Sequence, residues 1–270
     1  MTKKREIQFS EYIKKLYSDE FEPEDKIISI TFQVLDTCNL RCTYCYQIEK
    51  KNHKMTFEQA KSFIDYLLDL EEENEYLNPK QIKGYVFEFI GGEPFLNVEL
   101  VDQITEYIID KMIREHRPEL FFSKFSICSN GTLLFEDKVQ KYIHKYKNFL
   151  SLSVSLDGNK ELHDKCRVFP DGSGSYDAAL KAAYFIRDFY GKMPSTKMTL
   201  SPNNITYTYD AITNLFNLGY EEIHANVVFE EGWTLDHAKI FYNELIKLAD
   251  YILDNKLYET VRVSLFEEQV

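Results

Sequence analysis

Six short runs rich in isoleucine, valine, phenylalanine and leucine recur along the chain, at 27–35, 84–90, 124–129, 150–156, 196–201 and 222–228. Each run is followed by a polar or glycine-containing loop and then by a longer stretch with apolar residues at helical spacing. Phe57, Ala60, Phe63, Ile64, Leu67 and Leu68 show that spacing best, and Thr56 with Gln59 three residues on predicts a capping box that opens the first helix. Val101, Ile104, Ile108 and Ile109 mark a second helix, and Val139, Ile143 and Tyr146 a short third one. Segments 178–190, 205–218 and 235–253 complete the set. Strand and helix alternate six times, the pattern of an α/β fold with a parallel sheet wrapped by helices. The strands read as nearly continuous apolar runs, as expected where both faces are covered. Two architectures fit: an open doubly wound sheet, or an incomplete barrel of six βα units, since a full eight-unit barrel needs about 250 residues. In either, chemistry gathers at the carboxyl ends of the strands.

The chain has 270 residues, 44% of them hydrophobic and 28% charged, which rules out wholesale disorder and allows one large domain or two small ones. No stretch approaches about eighteen consecutive apolar residues, so no membrane span is expected. No apolar segment follows Met1-Thr2-Lys3-Lys4-Arg5-Glu6, so the expectation is a cytoplasmic protein without a secretory signal. The 32 basic and 44 acidic side chains give a net charge of −12, which argues against nucleic acid as a partner. The acidic run at 71–75 reads as a solvated loop. Residues 1–26 read as an N-terminal extension with one short helix and 27–256 as the core. Residues 257–270 read as the start of a further region that is cut short.

Five cysteines are too few for a disulfide scaffold. Three of them, Cys38, Cys42 and Cys45, follow the first strand with the spacing Cys-x3-Cys-x2-Cys. A cubane iron–sulfur cluster takes four thiolates, one per iron, so three cysteines leave one iron open for chemistry. A structural zinc site with His53 as fourth ligand is the alternative, although one clip of this spacing is not the usual paired arrangement. Gly91-Gly92-Glu93-Pro94 follows the second strand; its glycines permit close backbone approach and its carboxylate can accept from an ammonium group, or the four form a plain turn. Ser129-Asn130-Gly131 ends the third strand, and Ser155-Leu156-Asp157-Gly158 the fourth, with His163, Asp164 and Arg167 beyond. Arg167 carries the planar fork that suits a carboxylate, or is a surface cation. Asp157 reads equally as a turn former and His163 as a solvated loop residue. Ser201-Pro202-Asn203-Asn204 is a weak candidate for pocket lining, and Cys128 and Cys166 read as small core residues.

Taken together, these motifs resemble the radical S-adenosylmethionine (radical SAM) superfamily: the three-cysteine loop with Tyr44 just before Cys45, then Gly-Gly-Glu-Pro, Ser-Asn-Gly and Ser-Leu-Asp-Gly with the later arginine. The resemblance implies a partial (β/α)6 TIM-like barrel and so chooses between the two architectures. It implies one 4Fe–4S cluster on Cys38, Cys42 and Cys45, whose open iron chelates S-adenosyl-L-methionine. One electron then yields a 5′-deoxyadenosyl radical that removes hydrogen from substrate. Cofactor contacts are implied for Tyr44, Gly91, Gly92, Glu93, Ser129, Asn130, Ser155 and Arg167. Glu93 would face the methionine amino group, Ser155 the ribose and Arg167 the methionine carboxylate; backbone of 224–228 would meet adenine. Residues 27 to about 190 are most similar to SPASM-type peptide maturases and anaerobic sulfatase-maturating enzymes. Those carry a cysteine-rich region with auxiliary clusters, whereas no cysteine follows Cys166 here, so either a fragment or a minimal member without auxiliary clusters is expected, and the abrupt end at Val270 favours the fragment. The expected substrate is a ribosomally made peptide or protein, not itself strongly acidic, and the electron donor a flavodoxin or ferredoxin. A small-molecule radical enzyme of cofactor biosynthesis and a zinc-binding interaction module are the alternatives.

Overall fold

In the computed structural model of the chain, the described residues are 26–47, 52–70, 77, 82–229 and 232–267; most of the N-terminal extension and the acidic run at 71–75 lie outside them. Among the described residues, seven strands form one sheet: β1 (Lys26–Leu35), β2 (Ile82–Gly91), β3 (Lys124–Ser129), β4 (Leu150–Ser155), β5 (Thr196–Leu200), β6 (Glu222–Val227) and β7 (Arg262–Val263). Between them run α1 (Phe57–Leu68), α2 (Val98–Arg114), α3 (Asp137–Lys145), α4 (Lys160–Cys166), α5 (Tyr176–Tyr190), α6 (Thr208–Asn217) and α7 (Leu235–Asp254). The six strands and six helices expected between 27 and 253 are present, while the short helix expected within 1–26 lies outside the described residues. The capping box on α1 is made, with Gln59 N donating to Thr56 Oγ1 and Thr56 N to Gln59 Oε1. Two elements are additional. The short helix α4 had been read as loop, and β7 pairs with β6, so the sheet runs on past the expected core boundary at 256.

All pairings between these seven strands are parallel and the spatial order is β1-β2-β3-β4-β5-β6-β7, with no reversal. A doubly wound sheet reverses direction at a switch point; a sheet wound one way with right-handed crossovers carries all its helices on one face. The architecture is therefore the open, partial-barrel form of the α/β class, with β1 and β7 as its two edges.

The expectation of continuously apolar strands is corrected by the burial pattern, which alternates. On the helix-covered face, Ile28, Ile30, Phe32 and Val34 of β1 stand with Tyr85, Phe87 and Phe89 of β2 and Phe125 and Ile127 of β3, all buried. Their rings form a ladder: Phe32 to Phe89 at 5.7 Å between centroids, Phe87 to Tyr85 and to Phe125 at 5.4 Å each. The other face is polar. Register places Thr31, Glu88, Ser126 and Ser151 in one row across β1 to β4, and Ser155, Lys197 and His224 in another across β4 to β6. Thr31 Oγ1 donates to Glu88 Oε2 across the first row at 2.9 Å. A closed barrel fills its interior with layers of branched apolar side chains. This one stays open between β1 and β7, so its inner face meets water and carries serine, threonine and charged residues.

The two faces predict opposite mutational costs. Phe87→Ala, on the covered face, should destabilise the protein by about 3–5 kcal/mol. Ser151→Ala, on the inner face, should change stability by less than about 0.5 kcal/mol. Urea unfolding reads both, and comparable losses would mean that the interior is packed after all.

Candidate functional site

The loop after β1 is held on three sides, by backbone hydrogen bonds on two and by side-chain amides on the third. Towards β2, Gly92 N donates to Leu35 O and Glu93 N to Thr37 O, each at 3.0 Å, extending the ladder beyond the strand ends. An added Cβ on Gly92 would lie 2.2 Å from Thr37 O, so only glycine allows this approach. Towards the end of α4, Arg41 N donates to Val168 O at 2.7 Å and Thr43 N to Cys166 O at 2.9 Å. Towards β3, Asn130 Nδ2 donates to Asn39 Oδ1 at 2.8 Å and Asn39 Nδ2 to Thr132 Oγ1 at 2.7 Å.

This clamped loop forms one wall of a cavity of about 410 Å³, bordered by Cys38, Cys42, Cys45, Tyr44, Gly91, Gly92, Glu93, Asn130, Ser155 and Arg167. Ten of the eleven residues singled out as site candidates thus meet at one place. The eleventh, Ser129, is buried beside it and donates to Glu93 Oε1 at 2.9 Å. Lys197, Thr199, Asn226 and Cys128 join the lining from the polar inner face. Cys128 had been read as a core residue; it instead borders the cavity, 3.5 Å from Ser155 Oγ. Ser201-Pro202-Asn203-Asn204 does not line the cavity: Asn204 folds back to accept from Ser201 N and closes its own turn.

The three thiols are the group that could hold an iron–sulfur cluster. Cys38 Sγ accepts from Leu40 N at 3.4 Å, the kind of N–H···S contact that stabilises a ligating sulfur, with Asn130 Nδ2 at 3.9 Å. Burial pushes the Cys42 thiol up to about 11, against the pull of Arg167, and Cys38 and Cys45 nearby push it further. Such a thiol stays protonated until a cation binds it. Among the described residues, no three His, Cys, Asp or Glu side chains stand close enough to share a single metal ion. Ligands that each hold a separate iron of one cluster do not need that convergence. His53 is exposed and does not border the cavity.

Glu93 is 1% exposed and turned into the protein. Oε1 accepts from Ser129 Oγ and from Phe95 N, and Oε2 from Asn130 N at 2.8 Å. Burial raises its pKa against these three donors. Its first task is to tie the end of β2 to the end of β3.

Behind Arg167 lies a network whose residues had been read separately as turn and loop. The guanidinium donates Nε to Asp157 Oδ2 at 2.8 Å and Nη2 to Asp157 Oδ1 at 3.1 Å, both groups buried. Tyr44 OH also donates to Asp157 Oδ2, Thr199 N donates to Oδ1, and the guanidinium lies 5.5 Å from the centre of the Tyr44 ring. Asp157 N donates to His163 Nδ1 at 3.3 Å, and His163 Nε2 meets Ser175 Oγ at 3.0 Å, so the network assigns the ring proton to Nε2. Asp157 and His163 are both fully buried. The signal that could have found them is the pairing rule: a buried arginine beside a cavity requires a buried acid, and Asp157 is one helix away in sequence.

Residues 32–240 match the family model of the radical SAM superfamily. An uncharacterised protein of Methanocaldococcus jannaschii is 31% identical over 74% of this chain and 62% of its own length. A cysteine-type anaerobic sulfatase-maturating enzyme of Clostridium novyi is 30% identical over 66% of this chain and 45% of its own. An Fe-coproporphyrin III synthase of Methanosarcina barkeri is 27% identical over 87% of this chain and 54% of its own. The chain thus spans about half to three fifths of the length of these curated relatives. The solved structure of native anSMEcpe with bound AdoMet superimposes at a TM-score of 0.71 with 20% identity, over 89% of this chain and 64% of that one, a likeness of fold.

Burial pulls His163 down to about 4 from an ordinary value of 6.5; Asp157 and Asp164 oppose this, while Arg167 and Lys160 add to it. The folded state therefore binds fewer protons than the unfolded one. Stability is full above pH 6.5 and is lost as pH falls to about 4, by up to about 3 kcal/mol. His163→Gln should flatten that part of a stability–pH curve. A slope unchanged by the substitution would place the acid sensitivity elsewhere.

Proposed function

The chain belongs to the radical SAM superfamily, and from that premise we propose that it removes a hydrogen atom from a residue of a peptide or protein substrate, as a maturase. The family's cofactors are a 4Fe–4S cluster and S-adenosylmethionine. Cys38, Cys42 and Cys45 would hold the cluster and leave one iron open. When bound and reduced by one electron, cluster and S-adenosylmethionine together supply a carbon radical that abstracts hydrogen.

The chain's own residues bind and orient. Arg167 donates Nε and Nη2 to Asp157, so its fork is fixed at the cavity wall with Nη1 left for an anionic group. Ser155 and Asn130 offer a hydroxyl and an amide, and Gly91 and Gly92 offer backbone without side-chain bulk. Val227 and Val228 at the end of β6 close the far side. The electron donor in this reading is a flavodoxin or ferredoxin. The compartment is the cytoplasm, whose reducing conditions suit a thiolate-held cluster. Among the described residues, no helix is long and apolar enough to cross a membrane.

The observation that carries the peptide reading is the polar inner face that runs into the cavity. Ser29, Thr31, Gln33, Ser126, Ser151, Ser153, Thr199 and Asn226 supply hydroxyls and amides suited to the backbone and polar side chains of an extended peptide. The native anSMEcpe structure with AdoMet and the Kp18Cys peptide, at a TM-score of 0.70, supports this by analogy of fold. The likeness to Fe-coproporphyrin III synthase favours a second reading, a small-molecule substrate. A flat macrocycle would want apolar walls; Leu40, Ile90, Val227 and Val228 supply some at the cavity, whereas the rows across β1 to β4 are mostly serine, threonine and charged residues.

After anaerobic reconstitution with iron and sulfide, the protein should cleave S-adenosylmethionine reductively. Cys42→Ala should lower that rate by more than about a hundredfold, beyond the loss that an outer-shell partner causes. Offered peptides encoded beside its gene, the enzyme should change the mass of one in step with cofactor consumption. Consumption of an iron coproporphyrin precursor instead would overturn the peptide reading.

A further inference from the structure

The Asp157 side chain is engaged by four donors at the back of the cavity, yet it does not border it. Its two oxygens take four donors from three separate parts of the chain: Nε and Nη2 of Arg167 beyond α4, Tyr44 OH on the cysteine loop, and Thr199 N on β5. Its own backbone N–H rests on His163. It is completely buried, and the side chain of Arg167 is 10% exposed.

A buried carboxylate with this many donors is more than a charge balance. An arginine side chain has several rotatable bonds, and a guanidinium held by two parallel bonds on one edge loses most of that freedom before any ligand arrives. The edge left over is set by which nitrogens the acid has taken. The bond from Tyr44 ties the same carboxylate to the residue just before Cys45. The backbone bonds Arg41 N to Val168 O and Thr43 N to Cys166 O run alongside it, so the cysteine loop and the arginine are tied at both backbone and side-chain level.

We propose that Asp157 is a positioning residue: it fixes the Arg167 fork and Tyr44 relative to the cysteine loop, and so sets the affinity for the carboxylate of S-adenosylmethionine while touching neither that ligand nor the cluster. The inference rests on the radical SAM reading of the site but not on the nature of the final substrate. Asp157→Asn keeps the size of the side chain and one good acceptor. Its amide nitrogen faces donors, so it surrenders at least one bond to Arg167 and frees the fork.

The test is S-adenosylmethionine binding to the reconstituted protein, read by equilibrium binding and by the change it induces in the electron paramagnetic resonance spectrum of the reduced cluster. Asp157→Asn should fold, take up the cluster as the unchanged protein does, and bind S-adenosylmethionine about ten- to a hundredfold more weakly, the scale of one hydrogen bond to a charged group. The rate at saturating cofactor should fall much less than the affinity. Since Asp157 acts through Arg167, the double variant Asp157→Asn/Arg167→Lys should bind no more weakly than Arg167→Lys. Losses that simply add, or an Asp157→Asn protein with unchanged affinity and an unchanged spectral response, would overturn the proposal. If Asp157→Asn does not fold, Asp157→Glu keeps the charge and displaces it by one methylene; it should fold and still lose affinity, and normal binding by that variant would equally overturn the proposal. Failure of the unchanged protein to bind S-adenosylmethionine would overturn the radical SAM reading of the site together with it.

Discussion

Parallel pairing in a single winding direction is the constraint from which the rest of this structure follows. Seven strands that all run one way, in chain order, put every βα loop on the same edge of the sheet. The cysteines after β1, the glycines after β2, Asn130 after β3, Asp157 and Arg167 after β4 and Val228 after β6 have no other place to meet. The ladder also continues past the strands proper, through Gly92 N to Leu35 O, Leu156 N to Lys197 O and Val228 N to Leu200 O. Backbone groups that would otherwise be buried without partners are satisfied there, and the loops bearing the chemistry inherit the stiffness of the sheet.

How far that was legible from the residues depended on the length of each signal. Helix α1 announces itself through a full apolar stripe and a capping box. Helix α4 is only about two turns long, too short for a stripe, and what marks it is Asn159, whose side chain accepts from Leu162 N at 3.0 Å. Strand β7 has two residues and no room for a pattern. The inner face was missed for another reason: in Leu150-Ser151-Leu152-Ser153-Val154-Ser155 the alternation is complete, but serine is small and weakly polar, so the segment reads as apolar on average. The cysteine loop and the glycine pair were plain because their spacing is itself chemical. Asp157 and His163 were not, because their roles depend on partners brought near only by the winding of the sheet.

The inner face also shows why openness and polarity belong together. With β1 and β7 unpaired to each other, a row such as Thr31, Glu88, Ser126 and Ser151 remains wet, and leaving it polar costs no desolvation. Apolar residues there would have exposed a continuous patch to water. Stability comes instead from the aromatic and aliphatic wall between the sheet and its helices, which leaves the interior free to be shaped by what it binds.

The charges around the cavity follow the same economy. Arg167 and Lys197 stand on the β4–β5 side, and Glu93 on the β2–β3 side, with Asp157 behind the arginine. With Glu93 counted as ionised, two cations and two anions balance, while their separation gives the cavity a direction. His163, held neutral by burial, adds nothing to that balance. A ligand that carries both an ammonium and a carboxylate would find a matching field without shifting any of these groups. A singly charged ligand would satisfy one end and leave the other to water. In the reading proposed above, the separation of these groups would let a ligand with both an ammonium and a carboxylate lie across the cavity with one charge towards each side.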